Sequence, residues 1–154
     1  MRIGVLSDSH GFTGRLSTVL MVLEAEHKPL DALIHLGDGY YDLQDLGAEL
    51  PPVYQVAGNC DHFCSDTLNI VTLSNARLLL THGHYQHVKS GTDDLLALAI
   101  SEKAHAALYG HTHCPKMEWK NGILLLNPGA AMDGKYAMLT INRLGAVEAE
   151  LCSL

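Results

Sequence analysis

The sequence predicts an α/β fold of the α+β kind, in which a front half of strands and helices and a back half of antiparallel strands pack as one layered sandwich. Three observations lead there. Apolar runs of strand length alternate with helical spacing over residues 1–60, which implies parallel strands joined by crossover helices. From Lys116 the pattern is all β, and the Asn121-Gly122 pair between apolar runs marks a two-residue hairpin. A length of 154 residues, without repeats, low-complexity tracts or linkers, suits one domain over residues 1–154.

Each element has its own local reason. Residues 2–7 (RIGVLS) form a compact β-rich run. Leu16, Val19, Leu20 and Leu23 recur at helical spacing and supply the buried face of a helix that Pro29 ends. A second strand, 32–36, stops at Gly37; after a short helix a third, 53–57, stops at Gly58. Residues 69–73 and 77–81, split by Ser74, Asn75 and Ala76, read as a hairpin, so the sheet becomes mixed there. Thr92 ahead of Asp93 and Asp94 predicts a hydroxyl N-cap with acids in the first helical turn. A short strand at 106–109 precedes the closing β runs KMEWK, ILLLN, YAMLTIN and AVEAELC, the last two turning at Leu144-Gly145.

Composition narrows the function. At 47% hydrophobic and 18% charged residues the chain is globular, which excludes disordered and fibrous classes. The formal net charge of -7 repels polyanions, so nucleic acid is not an expected partner and any phosphate chemistry needs local positive charge. No apolar run approaches the roughly 20 residues that span a bilayer, and the N-terminus lacks the features of a signal peptide, so a cytoplasmic protein without a membrane partner is expected. Cys60, Cys64, Cys114 and Cys152 are too scattered for a disulfide framework and are expected as thiols. Ten histidines equal all the lysines and arginines together, while only two Phe and one Trp are present. Chemistry, rather than packing, calls for that much imidazole.

The polar clusters that end the strands share a composition of Asp, Asn or His beside Gly. Asp8-Ser9-His10-Gly11, Gly37-Asp38, Gly58-Asn59-Cys60-Asp61, Thr81-His82-Gly83-His84 and Gly110-His111-Thr112-His113 follow five predicted strands. In open α/β sheets, loops at the carboxyl ends of strands converge on the ligand. On extended backbone Asp8 and His10 would point to one side, as would His111 and His113. With Asp38, Asn59 and His82 they make two carboxylates, one amide oxygen and four imidazoles, too many for one tetrahedral ion and suited to two divalent ions. This thiolate-free set fits Mn, Fe, Ni, Co or Zn, with Mn as the working assignment. Two such ions set against two carboxylates and a hydroxide leave about one positive charge, which supplies what the acidic chain lacks. A pair of ions can clamp a phosphate, acidify a water and stabilise an in-line displacement, so phosphoester hydrolysis is the reaction that best uses the site.

The ordered series of Asp8 and His10, Asp38, Asn59, His82, and His111 and His113 resembles the calcineurin-like metallophosphoesterases, and the Gly58-Asn59-Cys60-Asp61 form resembles the small YfcE/MJ0936-type phosphodiesterases. The resemblance runs from residue 3 to about 131 and includes Asn127-Pro128-Gly129. It implies the metallo-dependent phosphatase fold, a four-layer α/β/β/α sandwich of two mixed sheets flanked by helices, with no cap domain. It further implies that Asp8, His10 and His113 hold one ion, that Asn59, His82 and His111 hold the other, and that Asp38 bridges them. The implied reaction is attack of a metal-bound hydroxide on the phosphorus of a small phosphodiester. Many relatives carry a His as proton donor where this chain has Cys60, so the catalytic candidates are Cys60 and His84, two residues beyond a ligand.

Other readings remain open on the sequence. The same fold serves a non-catalytic retromer scaffold subunit with a degraded site, and the same site could serve a monoesterase or nuclease. Edge strands of the back-half sheet and apolar residues such as Leu125 suggest a homodimer or higher homo-oligomer. His27 and His105 read as surface residues, His35 as a hydrogen-bonded core residue, and His62 and His87 as loop residues near the site.

Overall fold

The computed structural model describes residues 1–27 and 29–154, with the side chain of His27 outside the described set. Its elements run β1 (Arg2–Leu6), α1 (Thr13–His27), β2 (Ala32–His35), α2 (Asp42–Asp45), β3 (Val53–Gln55), β4 (Leu68–Leu73) and β5 (Ala76–Thr81). They continue α3 (Asp93–Ser101), β6 (Ala106–Leu108), β7 (Lys116–Lys120), β8 (Ile123–Asn127), a 3-10 turn (Ala131–Asp133), β9 (Lys135–Ile141) and β10 (Val147–Ser153). Two five-stranded sheets result, ordered β10-β9-β1-β2-β3 and β4-β5-β6-β8-β7.

Both sheets are mixed, and the boundary between them does not divide the chain into an α/β front and an antiparallel back. The β9–β10 hairpin pairs antiparallel with β1 in the first sheet, while β6 lies parallel between β5 and β8 in the second. Burial explains the placement. β9 is apolar on both faces, Ala137, Leu139 and Ile141 on one and Tyr136 and Met138 on the other, so it needs an interior position. β8 has the same character, with Leu124 and Leu126 on one face and Ile123 and Leu125 on the other. Leu125 is thus fully buried in the cluster of residues that α3 covers and is not available to a second copy, contrary to the sequence expectation. β7 (KMEWK), with polar or exposed side chains, takes an edge.

Period-two alternation builds the four layers. Ile3, Val5, Leu78, Leu80, Leu124, Leu126, Leu139 and Ile141 fill the space between the sheets. On the outer face of the first sheet, Leu6, Leu33, Tyr136 and Met138 pack against Leu16, Val19, Leu20 and Leu23 of α1, the four residues that set the helical period. On the outer face of the second, Leu79, Ala107 and Leu125 pack against Leu95 and Ala99 of α3. Fully burying one leucine is worth about 2 kcal/mol, so these faces dominate stability. The predicted Asn121-Gly122 turn forms, and the hairpin expected around Ser74, Asn75 and Ala76 turns on Ser74 and Asn75 alone, with Ala76 opening β5; all four turn residues have positive φ. Thr92 makes no side-chain capping bond; its hydroxyl instead donates to Glu118 and accepts from Lys120, whose charges hold it more strongly than a helical N–H.

His35 is the core histidine its position in the strand implies. It is fully buried, 2.9 Å from the Ser9 hydroxyl, and its Nδ1 accepts from the Gly37 N–H. Burial lowers its pKa to about 4, against a partial upward pull from Asp42, Asp8 and Asp61. The unfolded chain, with an ordinary histidine near 6.5, therefore takes up a proton first, and stability present above pH 6.5 is lost as pH falls toward 4, by roughly 3 kcal/mol in total. A His35→Asn variant is expected to be less stable at pH 7 but to show a flatter decline in urea midpoint between pH 6.5 and 4. Parallel declines in the two proteins would refute this.

Candidate metal centre

The candidate ligands sit on loops that leave β1, β2, β3, β5 and β6, and glycines let those loops touch. A Cβ on Gly37 would collide with the backbone of Gly58, and one on Gly58 would strike the backbone and carboxylate of Asp38. Gly110 stands equally close to Ser7 and Asp8. Gly37, Gly58 and Gly110 are thus packing requirements of the loops that meet at the strand ends, whereas a Cβ on Gly11 would meet nothing.

Five candidates adopt left-handed backbone: Asp8 (φ 53), His10 (φ 47), Asp38 (φ 54), His111 (φ 68) and His113 (φ 59). This corrects the premise that the two-residue pairs lie on extended chain. With the backbone kinked at each ligand, Asp8 and His10 converge while His111 and His113 part into different groups, at a cost of order 1 kcal/mol per residue that the surrounding packing sustains.

Two triads of ligand atoms result, each within 4.8 Å: Asp8, His10 and His113, and Asp38, His82 and His111. Asp8 Oδ1 lies 3.1 Å from His113 Nε2 and 3.9 Å from the Nε2 atoms of both His10 and His82. Asp38 Oδ2 lies 3.3 Å from His82 Nε2 and 3.6 Å from His10 Nε2, so this one carboxylate faces members of both triads. A third grouping joins His10 and Asp38 with Cys60. Asp8 Oδ1 and His82 Nε2 are buried, and neither has a hydrogen-bond partner among the described residues. An orphaned carboxylate oxygen and an orphaned imidazole nitrogen are costly alone and are the donors a divalent cation requires, so the residues present fit metal ions.

The electrostatics point the same way. Burial opposes ionisation of Asp38, but the adjacent His82 ring and the Cys60 N–H outweigh it and hold the carboxyl well below the usual range. Burial likewise opposes charge on His82, yet Asp38 and Asp8 raise its pKa. His111 is lowered to about 4 by burial and by His82, and His84 is lowered by the same two causes. Burial and then Asp38 push the Cys60 thiol up, so it keeps its proton.

A second ring of residues orients these groups. His82 Nδ1 lies 2.7 Å from the Leu36 carbonyl, which directs Nε2 at the carboxylates. Asp8 Oδ2 accepts from Ser7 Oγ and the His111 N–H, leaving Oδ1 free to face the cleft. Asp61 accepts from the N–H groups of Asp38, Gly39 and Tyr40 on one loop and Gly58 on another. Asp42 accepts from Ser9 Oγ and the Gly11 N–H, and Asn127 donates to the Gly110 carbonyl and Thr112. Asp61 and Asn127 stand within recognisable motifs, Asp61 two residues past Asn59, but nothing in the sequence marks Ser7 or Asp42 as supports.

Asp8, His10, Asp38, His82, His111 and His113 come together, with Cys60 beside His10 and Asp38; Asn59 and His84 are placed differently. Asn59 is exposed, and its amide donates to Cys60 Sγ. The His84 ring lies 5.6 Å from His82 and 6.1 Å from His111, with a buried Nδ1 that has no partner among the described residues. His62 is exposed, His87 pairs with Asp94, and His105 is exposed and accepts from the Arg77 N–H. All four cysteines are free.

The family profile for the calcineurin-like phosphoesterase superfamily domain matches residues 1–143. The chain belongs to this superfamily. Among its relatives is the probable metallophosphoesterase YsnB of Bacillus subtilis, 32% identical over 149 residues that cover 92% of this chain and 85% of that protein. Phosphodiesterase MJ0936 of Methanocaldococcus jannaschii is 26% identical over 84% of this chain and 83% of its own. The solved structure of zinc-complexed wild-type Vps29 from Entamoeba histolytica superposes with a TM-score of 0.74 at 19% identity, covering 99% of each chain, a likeness of fold. As a metal-dependent member of this superfamily the chain is a hydrolase acting on phosphoric esters. Among the described residues no helix is long and apolar enough to cross a membrane.

Proposed function

We propose that this chain is a cytoplasmic two-metal phosphodiesterase that hydrolyses small diesters, with residues 1–154 acting as one domain without a cap. The carrying observation is the pair of orphaned buried donors, Asp8 Oδ1 and His82 Nε2, each within a ligand triad that Asp38 faces. Asp8, His10 and His113 would hold one ion, and His82, His111 and Asn59 the other, once the exposed Asn59 amide turns from Cys60. Asp38 would serve both. Two divalent ions there, with Mn as the working assignment, supply a clamp on phosphate oxygens and a water of lowered pKa.

The test is elemental analysis of the purified protein together with hydrolysis of bis-p-nitrophenyl phosphate and of the monoester, with and without Mn²⁺ or Ni²⁺. About two metals per chain and metal-dependent cleavage favouring the diester are expected. A folded protein that takes up no metal and cleaves neither ester would overturn the proposal and favour a scaffold role.

His84 is the proposed donor of a proton to the leaving oxygen, on the strength of its place beside His82 and His111 and its unpartnered Nδ1. A nitrophenolate leaves without help, whereas an alkoxide needs the proton. His84→Gln is therefore expected to lower kcat by about 10²-fold on a dialkyl diester and far less on bis-p-nitrophenyl phosphate. The same leaving-group dependence in Cys60→Ser, with none in His84→Gln, would transfer the role to the thiol.

A further inference from the structure

Among the described residues, the grouping of His10, Asp38 and Cys60 is the one set of clustered ligand atoms that contains a sulfur and that neither proposed ion uses. Its three donor atoms lie within 4.8 Å of one another, as those of the two triads do. Hydrogen bonds fix Cys60 in this place: its N–H donates to Asp38 Oδ1 at 2.8 Å, and its Sγ accepts from the Asn59 amide at 3.5 Å. The thiol thus adjoins the carboxylate that faces both triads and the amide assigned to the second ion. Asp38 Oδ2 and His10 Nε2 are 3.6 Å apart. Bonds of about 2.0 to 2.3 Å from a tetrahedral ion to oxygen, nitrogen and sulfur set its donors roughly 3.5 Å apart, so this pair already has coordination spacing. Two buried donors without partners among the described residues border the pair: Asp8 Oδ1 is 3.9 Å from His10 Nε2, and His82 Nε2 is 3.3 Å from Asp38 Oδ2. A fourth donor is therefore close at hand. Cys64, Cys114 and Cys152 belong to no such grouping among the described residues.

We propose that His10, Asp38 and Cys60 form a site for one thiophilic divalent ion, Zn²⁺ above all, whose occupation excludes the two-ion state and switches the hydrolase off. The inference rests on the two-metal reading above and names a regulation of that site. Ligand softness separates the two states. Mn²⁺ prefers oxygen and nitrogen donors and leaves the thiol unbound, whereas Zn²⁺ takes a thiolate, whose proton passes to solvent. An ion on this set withdraws His10 from one triad and Asp38 from the other, so it cannot coexist with ions in both. It also holds Asn59 away from the second ion, because the amide N–H bonds a thiolate more strongly than a thiol.

The test uses Co²⁺ as a spectroscopic stand-in for Zn²⁺, since it accepts the same tetrahedral donors and a cobalt–thiolate bond absorbs in the near ultraviolet. Metal-free protein titrated with Co²⁺ is expected to develop that charge-transfer band with the first equivalent; Cys60→Ser should abolish it and Cys64→Ser should keep it. Zn²⁺ added to the Mn²⁺-loaded protein should release Mn²⁺, read from the paramagnetic resonance of the free ion. In Cys60→Ser the Zn²⁺ needed should rise by about 100-fold while the Mn²⁺ affinity stays within about threefold of wild type. That retained Mn²⁺ affinity also shows that the variant, altered at an exposed position, is folded. A Co²⁺ spectrum without the band, a band that survives in Cys60→Ser, or equal displacement of Mn²⁺ by Zn²⁺ in the two proteins would overturn the proposal and leave the two-metal reading standing. A wild type that takes up no Mn²⁺ would fail the two-metal reading instead, and the Co²⁺ band, present or absent, would still decide the thiolate site.

Discussion

Asp38→Ala is expected to lower diester hydrolysis by about 10³-fold or more and to reduce the metal content of the purified protein, while the fold survives. Asp38 Oδ2 is within 3.6 Å of ligand nitrogens from both triads, so its removal deprives both proposed ions of a negative donor at once. The structural cost is smaller: Oδ1 loses the bond it accepts from the Cys60 N–H, worth about 1 to 2 kcal/mol, and Oδ2 its contact with His82 Nε2. Asp38→Asn separates the two effects, since it keeps an acceptor for Cys60 and loses only the charge. Both variants should melt near the wild type when stripped of metal, and both should lose most of the Tm increase that Mn²⁺ gives the wild type. Retention of two metals and full turnover in either variant would refute the bridging role. His82→Ala tests the second triad in the same way, because it removes the orphaned Nε2 without touching Asp8, His10 or His113.

The fold and the site were legible to different depths. Strands and helices could be located from periodicity: Leu16, Val19, Leu20 and Leu23 announced the face of α1, and Asn121-Gly122 the β7–β8 turn. Strand order could not, because it depends on which strands need cover on both faces. That requirement moved β9 beside β1 and enclosed Leu125, while the sequence alone made the back half look like a separate sheet. At the site, residue type and order identified the ligands, since carboxylates and imidazoles beside glycine at several strand ends are hard to explain otherwise. The spacing argument reached one right pair by the wrong geometry: Asp8 and His10 meet through left-handed kinks that no periodicity predicts, whereas His111 and His113, kinked likewise, fall in different triads. The supports were the least visible part. Asp42 and Asp61 act on backbone N–H groups and a hydroxyl distant in sequence, so their role exists only once the loops are assembled, and Ser7 acts on the adjacent Asp8, a bond that depends on the backbone kink there.

Asp61→Ala should then destabilise the protein by about 3 kcal/mol and weaken metal binding by roughly 10- to 100-fold, although Asp61 belongs to neither ligand triad. One Asp61 oxygen accepts from Gly39 and Tyr40, and the other from Asp38 and Gly58, at 2.7 to 3.0 Å. These charge-assisted bonds fix the left-handed turn at Asp38 and clamp the loop of Asp38 to the loop of Asn59 and Cys60. Without the carboxylate, four N–H groups must find water, and the two loops that deliver Asp38 and Asn59 lose their common anchor. For a chain of this size the loss corresponds to a Tm lower by roughly 6 to 12 °C. Asp61→Asn keeps one acceptor oxygen and turns an NH₂ toward the remaining donors, so it should fall between wild type and Ala in both Tm and Mn²⁺ affinity. That order, Asp above Asn above Ala, in two measurements independent of turnover marks a positioning residue. Lost hydrolysis with Tm and metal affinity unchanged would show instead that Asp61 acts on the substrate itself.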